Sequence, residues 1–551
     1  MHKIDLSKFR YHALIVILLW LLSFIPLYAQ SAQSDRVWVF FTQKSAVVPV
    51  SFPEETLARR SVRGDMQKSS RFNLPVDQAY IEEVKSTGAT LRVVSRWLNA
   101  VSIDADQAVL ASIGRLPYVN RISHVSAYKM SIPVPTLPPG PMLSKPSTLN
   151  YGPSALQVSM LGIDSLHNSG LSGHNIKIGI MDTGFDTSHV AFARMRSENR
   201  ILTTRNFLDG GNDVMGVPGG QRRHGTEVLS VIGGFDEGNL IGTAFGASFV
   251  LAKTESLTAE IQAEEDYWVA ASEWMESLGV DIISSSLGYI DWYDTTQLNG
   301  HTAIITQAAD IANQLGVVVV NCAGNEGGNI HWRKVVPPAD GDSVIAVGAV
   351  NTDGFVSYFS SQGPTADGRI KPDFCSLGEQ DRVAASDNGG YGFDNGTSFA
   401  APLLAGGIAL LLEEHPLWRI SDILANLKRA SSITNHPNNA QGWGIPNFVN
   451  AINMEPYSPQ RSLLIITPQP ARDSVVFNMI FSSASTAILT VYDLSGAKVQ
   501  EWDETATEPS TVIKVWDGRN RSNDKVASGI YICVFRVGDN NIRQKLAYFS
   551  R

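Results

Sequence analysis

The chain has 551 residues, a length that predicts three or four domains, each large enough to bury a core. Apolar residues make up 44% of it and charged residues 18%, proportions that are typical of folded, water-soluble proteins and not of disordered chains. The net charge of −9 and the lack of a Lys/Arg run argue against a nucleic-acid partner. Three cysteines are too few for a disulfide framework or a cysteine-based metal site.

Residues 1–29 have the pattern of a secretory signal peptide. Lys3, Lys8 and Arg10 precede an apolar run at residues 13–25, and small residues follow the run. The run is shorter than the roughly 20 residues that span a bilayer, although a signal anchor remains an alternative. The pattern predicts export, and the few cysteines favour a bacterial envelope or extracellular protein.

Residues 36–130 alternate short apolar runs with two helical stretches, which predicts a small α+β domain. A proline-rich stretch follows at residues 131–150. Because prolines in this number exclude a helix or a central strand, we predict an exposed linker there.

Residues 151–455 alternate near-continuous apolar strands with helical stretches, which predicts an α/β domain: a parallel sheet with helices on both faces. The predicted strands lie at residues 176–181, 248–252, 281–285, 316–320 and 343–350. Residues 462–551 contain strand-like runs between turn signals, and we predict a small β-sandwich for them.

Three short motifs carry side chains suited to nucleophilic catalysis. Asp182-Thr-Gly ends a buried strand, where parallel sheets gather functional groups. An aspartic protease would need a second such carboxylate motif, and the sequence has none. His224-Gly-Thr-Glu begins a helical stretch, and Asn395-Gly-Thr-Ser398 places a serine in the first turn of another, near free N–H groups. Taken singly, each has an ordinary structural explanation, such as a capping serine.

Together and in this order, the three motifs closely resemble those of subtilisin-like serine peptidases, the subtilases. Two further segments agree: Ala323-Gly-Asn325-Glu-Gly resembles the oxyanion-hole segment of the family, and Ser285-Ser-Leu-Gly288 its substrate-binding strand. The resemblance covers about residues 151–450. It implies a subtilisin-like fold and peptide-bond hydrolysis without a catalytic cofactor. The residues that it implies are Asp182, His224 and Ser398 as catalytic triad, Asn325 as oxyanion donor, and Ser286, Leu287, Gly288, Ala323 and Gly324 as substrate contacts.

Two residues depart from the family's pattern. Glu227 stands where a histidine is common, and it places a carboxylate one helical turn from His224. Val336 stands near the base of the primary specificity pocket, where a small residue is frequent. We predict that this valine shortens the pocket and favours small or medium substrate side chains.

The sequence offers weaker signals for ions and charge. The acidic residues 255, 260, 264, 265 and 266 indicate either a solvated helix start or a surface that favours basic substrate residues. The loop at residues 209–213 offers oxygen ligands, so calcium is a candidate structural ion, but its spacing matches no calcium motif and the metal ligands stay unknown. Cys322 and Cys375 are predicted to be buried, unreactive thiols.

The flanking parts resemble modules of exported peptidases. The domain at residues 36–130 resembles the inhibitory propeptides of subtilases, which implies a zymogen that cuts itself within the exposed linker. Residues 462–551 resemble the sorting domains of the type IX secretion route of Bacteroidota and also flagellar hook-capping modules; an adhesion or spacer sandwich is the alternative. The implied partners are protein or peptide substrates, the chain's own propeptide and the secretion machinery, for a protein that is secreted or on the cell surface.

Two other functions remain open on the sequence alone. A surface-binding protein can keep this fold without its chemistry. Intact Asp182, His224, Ser398 and Asn325 argue against that function, since an inert protein has no chemical need of all four. A narrow processing protease would keep the same residues as a digestive one.

Overall fold

The computed structural model describes residues 34–45, 50–64, 71–124, 148–215, 220–256, 263–290, 292–385, 389–454, 462–472, 474–481, 485–506, 510–538 and 540–550. The predicted signal peptide and residues 131–147 of the predicted linker lie outside these ranges. The chain forms two compact units, residues 1–454 and 455–551.

The N-terminal part of the first unit is an α+β domain with a four-stranded antiparallel sheet in the order β2-β3-β1-β4. Strand β1, one of the two inner strands, has two apolar faces. Val37 and Val39 pack under the helices of this domain, whereas Trp38 and Phe40 face the following domain. The elements are β1 (Asp35–Phe41), α1 (Glu54–Arg63), α2 (Gln78–Ser86), β2 (Thr90–Ser95), β3 (Ala100–Ala105), α3 (Gln107–Ile113) and β4 (Val119–His124).

The following domain contains a seven-stranded parallel sheet in the order β13-β12-β11-β10-β5-β9-β6, which confirms the predicted fold class. Its elements up to the middle strand pair are α4 (Ala155–Ser159), α5 (Ile163–Asn168), β5 (Lys177–Asp182), α6 (Ala193–Ser197), β6 (Ile201–Asn206), α7 (Gly220–Gly233), β7 (Phe235–Asp236), β8 (Leu240–Ile241), β9 (Ser248–Lys253), α8 (Ala263–Ser277) and β10 (Ile282–Ser285). The remaining elements are α9 (Ile304–Gln314), β11 (Val318–Cys322), β12 (Ile345–Val350), β13 (Phe374–Leu377), β14 (Asp381–Ala385), β15 (Gly390–Asp394), α10 (Thr397–Glu414), α11 (Ile420–Arg429) and α12 (Phe448–Ile452).

Helices cover both faces of this sheet because its strands are apolar on both sides. Side chains of α7 and α10 join one core cluster with the sheet, and side chains of α8 and α9 join a second. Helix α10 is long and apolar enough to cross a membrane, but 89% of it is buried, so it is explained as the core helix of this domain. Because β11, β10 and β5 are consecutive parallel strands, their carboxyl ends lie side by side at one edge of the sheet.

The N-terminal domain covers helix α8 through ion pairs as well as apolar contacts. Arg60 Nη2 lies 2.7 Å from Glu276 Oε2, and Arg92 Nε lies 3.1 Å from Asp266 Oδ2. In both pairs the N-terminal domain supplies the guanidinium and α8 supplies a buried carboxylate. A buried carboxylate is stable only with a counter-charge or hydrogen bonds, so these pairs make α8 dependent on its cover.

The interpretation of the acidic residues 255–266 as a solvated helix start is wrong for those that the structure describes. Glu255, Glu264, Glu265 and Asp266 are buried, and Glu260 lies outside the described residues. Glu265 accepts hydrogen bonds from Trp292 Nε1 at 2.9 Å and from a tyrosine hydroxyl. Burial nevertheless raises the pKa of Glu265 to about 8. The covering domain supplies Arg92 and Ser102 as partners of Asp266, whereas the partners of Glu265 come from its own domain.

The C-terminal unit is a β-rich domain with a seven-stranded sheet in the order β19-β18-β21-β22-β16-β17-β20. One apolar core includes Phe477, Leu489, Trp516, Phe535 and Tyr548. The strands are β16 (Leu463–Arg472), β17 (Ser474–Phe481), β18 (Ser485–Tyr492), β19 (Lys498–Ala506), β20 (Ser510–Trp516), β21 (Gly529–Val537) and β22 (Asn540–Phe549).

A buried ion pair at the start of β13 generates a stability prediction. Lys371 Nζ donates to Asp373 Oδ2 at 2.7 Å and to the Val344 carbonyl oxygen at 2.6 Å. Lys371→Met should destabilise the protein by about 3–5 kcal/mol, because it leaves the Asp373 carboxylate without its counter-charge. Thermal or denaturant unfolding of the Ser398→Ala protein, which removes self-digestion as a complication, measures this. The half-buried Lys334, whose ammonium reaches a single carbonyl oxygen, gives the control Lys334→Met, for which we expect a far smaller loss.

Candidate active site

Asp182 and His224 form a hydrogen-bonded pair at the end of β5. Asp182 is fully buried, and its Oδ1 accepts from the Thr183 backbone N–H at 2.7 Å. His224 lies near the start of α7, and its Nδ1 donates to Asp182 Oδ1 at 2.8 Å and to Oδ2 at 3.0 Å. Because the carboxylate holds Nδ1–H, the lone pair of the neutral imidazole lies on Nε2, on the opposite side of the ring.

The close approach of α7 to β5 requires a glycine next to the histidine. A Cβ atom on Gly225 would lie 2.3 Å from the Gly184 carbonyl oxygen and 3.0 Å from Asp182 Cβ. Real Cβ contacts are not that short, so any side chain at this position would push the helix away from the strand. The glycine that follows His224 thus permits the hydrogen bond between the two motifs.

Ser398 is the second residue of α10, at the amino end of the helix where backbone N–H groups are free. Its hydroxyl donates to the Ser286 carbonyl oxygen at 3.4 Å, and the Ser286 hydroxyl donates to the Ser398 carbonyl oxygen at 2.7 Å. The ring of the next residue, Phe399, lies 5.9 Å from the His224 ring between centroids. The structure therefore places Ser398 against the predicted substrate strand and the residue after it near His224.

The amide of Asn325 has a fixed orientation. Its Oδ1 accepts from the Thr397 backbone N–H and from the Thr397 hydroxyl, each at 3.0 Å. Because the Thr397 backbone N–H can only donate, the amide atom that faces it is the oxygen, and Nδ2 points away from Thr397. That nitrogen lies beside the turn before Ser398: a Cβ on Gly396 would be 3.6 Å from it. The same Cβ would lie 3.6 Å from the Ser398 backbone nitrogen, so the Asn325 amide and the Ser398 N–H are two donors close to each other.

The predicted substrate contacts lie on two neighbouring segments. Ser286, Leu287 and Gly288 follow β10, and Ala323 and Gly324 follow β11, its neighbour in the sheet. Asn321 Nδ2 donates to the Leu287 carbonyl oxygen at 2.9 Å and ties the two segments together.

Val336 lies between the two segments. Its backbone N–H donates to the Ala323 carbonyl oxygen at 3.0 Å, and its side chain is buried. A Cβ on Gly288 would lie 2.1 Å from one methyl group of Val336, and a Cβ on Gly324 would lie 2.7 Å from the other. The valine methyl groups thus occupy the space that two glycines leave open.

Burial and neighbouring charges act in opposite directions on His224. Burial disfavours the imidazolium, but the Asp182 carboxylate, with Glu227 and Asp394 further away, outweighs it and raises the pKa of His224 to about 9. Burial raises the pKa of Glu227 to about 7, against the ion pair with Arg223.

Three residues of this site were missed by the sequence analysis. Thr397 orients the amide of Asn325, and Arg223 and Asp394 form an ion pair at 2.7 Å beside His224. Thr397 stands within the serine motif, and a threonine between glycine and serine offered a signal for its role. Arg223 and Asp394 stand 171 positions apart, and no local pattern could have paired them.

The candidate calcium loop does not fit a cation. Asp209 Oδ2 lies 3.2 Å from the amide nitrogen of Asn206 and 3.7 Å from the ammonium of Lys253, and Asp213 Oδ1 accepts from a backbone N–H. Within the described part of the chain, no group of three His, Cys, Asp or Glu side chains could hold a metal ion.

The three cysteines form no disulfide, and all three are buried. Burial raises the pKa of the Cys322, Cys375 and Cys533 thiols to about 12, which keeps them protonated and unreactive at neutral pH.

Comparison with known proteins assigns the chain to one class, the subtilisin-type serine peptidases. Residues 173–444 match the subtilase family, and residues 36–135 match the Peptidase S8 propeptide domain of Bacteroidota. The chain is 33% identical to the major intracellular serine protease of Bacillus subtilis over 268 residues, 47% of this chain and 77% of that protein. It is 27% identical to subtilisin E of the same organism over 353 residues, 63% and 80% of the two chains. The chain belongs to the subtilase family and is a serine endopeptidase with an N-terminal propeptide domain.

A solved structure supports the fold. The epidermin leader peptide processing serine protease of Staphylococcus aureus superimposes with a TM-score of 0.55 at 18% identity, over 78% of this chain and all of that one. At this identity the likeness concerns the fold alone.

The charge balance around His224 generates a direct test. In the Ser398→Ala protein, NMR titration of the His224 ring should give a midpoint near pH 9, well above that of an unperturbed histidine. Asp182→Asn should lower this pKa, because it removes the carboxylate that favours the imidazolium while burial continues to oppose it. His224→Gln assigns the resonance among the 11 histidines. A midpoint at the ordinary value in both proteins would contradict the charge balance.

Proposed function

We propose that the protein is a secreted serine endopeptidase, made as a zymogen, that hydrolyses peptide bonds through an acyl-enzyme formed on Ser398. The observation that carries the proposal is the hydrogen-bonded pair of Asp182 and His224 beside a serine at the amino end of a buried helix. Ser286–Gly288 and Ala323–Gly324 would bind the substrate chain on the acyl side.

In the first half of the reaction, the Ser398 hydroxyl attacks the scissile carbonyl carbon as His224 Nε2 accepts its proton. Asp182 keeps Nδ1 protonated and stabilises the imidazolium without taking the proton itself. Asn325 Nδ2 and the Ser398 N–H donate to the oxyanion of the tetrahedral intermediate. Hydrogen bonds between base and nucleophile commonly tighten only with substrate bound, which is compatible with a Ser398 hydroxyl that donates to Ser286 in the free enzyme.

The second half repeats the chemistry with water. The imidazolium gives its proton to the leaving amine as the C–N bond breaks, and the acyl group stays on Ser398. His224 then accepts a proton from water, the hydroxide attacks the ester, and the acid product leaves as Ser398 regains its proton. No step needs a cofactor.

The zymogen proposal follows from the N-terminal domain. It matches a propeptide family and covers α8 with apolar side chains and ion pairs, so it is suited to inhibit the enzyme until it is cut off. Processing in the linker at residues 131–150, export by the signal peptide at residues 1–29, and recognition of residues 462–551 by type IX secretion machinery complete the proposal. They rest on the sequence patterns described above.

Self-processing separates an active enzyme from an inert relative. When the chain without residues 1–29 is folded, the wild type should lose the residues before and within the linker, whereas Ser398→Ala should stay whole, because cleavage needs the nucleophile. Intact mass spectrometry measures the loss, and a fluorophosphonate probe should label only the wild type. Equal cleavage of both proteins, or a whole wild type that the probe does not label, would contradict the proposal.

The position of Val336 predicts substrate preference. The wild type should prefer a small residue, such as alanine, on the acyl side of the cleaved bond, because the valine methyl groups fill the pocket. Val336→Gly should raise the ratio of kcat/KM for phenylalanine over alanine peptides by about 10-fold or more. Paired fluorogenic peptides measure the ratio.

Val335→Ala is the matched control for this change. Val335 is also fully buried and is the preceding residue, but its side chain packs in a separate cluster with Ala323, Ala339 and Ala346. It should leave the ratio unchanged. A wild type that already prefers phenylalanine would show that Val336 does not limit the pocket.

A further inference from the structure

Three charged side chains connect the helix of His224 to the strand that leads to Ser398. Arg223 Nε donates to Glu227 Oε1 at 2.8 Å, one turn further along α7. The same guanidinium donates through Nη2 to Asp394 Oδ2 at 2.7 Å. Asp394 is the last residue of β15 and stands four positions before Ser398. We call Arg223, Glu227 and Asp394 the charged bridge.

Glu227 is the buried member of the charged bridge. Glu227 is 2% exposed, and a carboxylate at that depth needs a counter-charge. The Arg223 side chain is 50% exposed, and Asp394 is 21% exposed. Because two carboxylates hold Arg223, its guanidinium stays beside His224 instead of moving freely in solvent.

A further carboxyl group, that of Asp381, lies next to the charged bridge. Asp381 is the residue opposite Asp394 in the β14–β15 pair, it is fully buried, and neither of its oxygens has a hydrogen-bond partner among the described residues. Burial, with Asp394 and Glu379 nearby, raises the pKa of Asp381 well above its usual range. The raised pKa favours the neutral form of the Asp381 carboxyl group.

The sum of these charges favours a protonated His224. The charges that raise the pKa of the imidazole are Asp182 from β5, Glu227 from α7 and Asp394 from β15, and Arg223 from α7 contacts the last two. Without its two carboxylates, Arg223 would place an uncompensated cation next to His224 and oppose the imidazolium that forms during attack. With both carboxylates ionised, the bridge carries one net negative charge; burial raises the pKa of Glu227 to about 7, so its charge is fully present only above that pH.

We propose that Glu227 is a positioning residue: through Arg223 it fixes the helix of His224 to the strand before Ser398, and its carboxylate is a second counter-charge, after Asp182, for the imidazolium. This inference rests on the proposed function. It assigns a role to the one residue of the histidine motif that departs from the family's pattern, and Glu227 itself need not touch the substrate.

The test compares pH profiles of the self-processed enzymes with a peptide substrate that has no ionisable side chain. Glu227→Gln keeps the size and the acceptor oxygen for Arg223 but removes the charge. The acid limb of kcat/KM should move to lower pH by roughly half a unit, the effect of one partly screened charge a helical turn away. The plateau of kcat should fall severalfold, with KM little changed. Asp394→Asn should move the limb in the same direction, and the double variant further than either.

Glu198→Gln is the matched control. Arg194 and Glu198 form an i,i+4 pair at 2.9 Å, like Arg223 and Glu227, but on α6 and without an effect on His224. This variant should leave the limb unmoved. The inference would be overturned if the acid limb of kcat/KM for Glu227→Gln coincided with that of the wild type. It would also be overturned if the variant lost thermal stability but kept the kcat and the pH profile of the wild type. A wild type that the fluorophosphonate probe fails to label would instead overturn the proposed function, so the two failures are distinguishable.

Discussion

The site depends on one geometric constraint: parallel strands of a sheet all end at the same edge. Strands β5, β10 and β11 are neighbours, and Asp182, Ser286 and Asn325 lie at or just after their carboxyl ends. The helices that return from this edge begin there too, so the first turns of α7 and α10 bring His224 and Ser398 to it. Whether the elements can approach each other then depends on small residues between them. A Cβ on Gly225, for example, would lie only 2.3 Å from the Gly184 carbonyl oxygen.

The cover of α8 depends on charge in a way that suits a domain made to leave. Glu273 accepts from the Trp97 backbone N–H at 3.2 Å, and Glu276 receives Arg59 and Arg60, all from the N-terminal domain. While the cover is in place these carboxylates are desolvated and need those partners. When it leaves, water can solvate them, whereas an equally large apolar face would stay exposed at a high cost. If the proposed processing removes the propeptide domain, the ion-paired part of its contact with α8 can be solvated by water, unlike the apolar part around Trp38 and Phe40.

The sequence predicted the parallel sheet because its strands are short, apolar runs buried on both faces, and the two glycine-flanked motifs located the histidine and the aspartate. It missed α1 (Glu54–Arg63), whose buried residues are Thr56, Arg59 and Arg60, so that the helix lacks an apolar face of the usual period. It misread the acidic start of α8, since Glu265 is buried against Trp292 and Tyr293 and Asp266 against Arg92 and Ser102, contacts that no local pattern shows. The same limit hid the pairing of Arg223 with Asp394: a sequence shows charges but not their neighbours after folding.

Val336 and Glu227, the two residues that depart from the family's pattern, make different contributions to the activation free energy of the proposed reaction. Val336 lies between the segments that would hold the acyl side of the substrate, so its volume decides which side chains reach Ser398 in a reactive position. Glu227 lies behind the base, where its charge acts on proton transfer for every substrate alike. A change at Val336 should therefore alter the ratio between substrates, and a change at Glu227 the common rate and its pH dependence. Because one residue acts through its volume in the pocket and the other through its charge behind the base, their effects on the activation free energy should add.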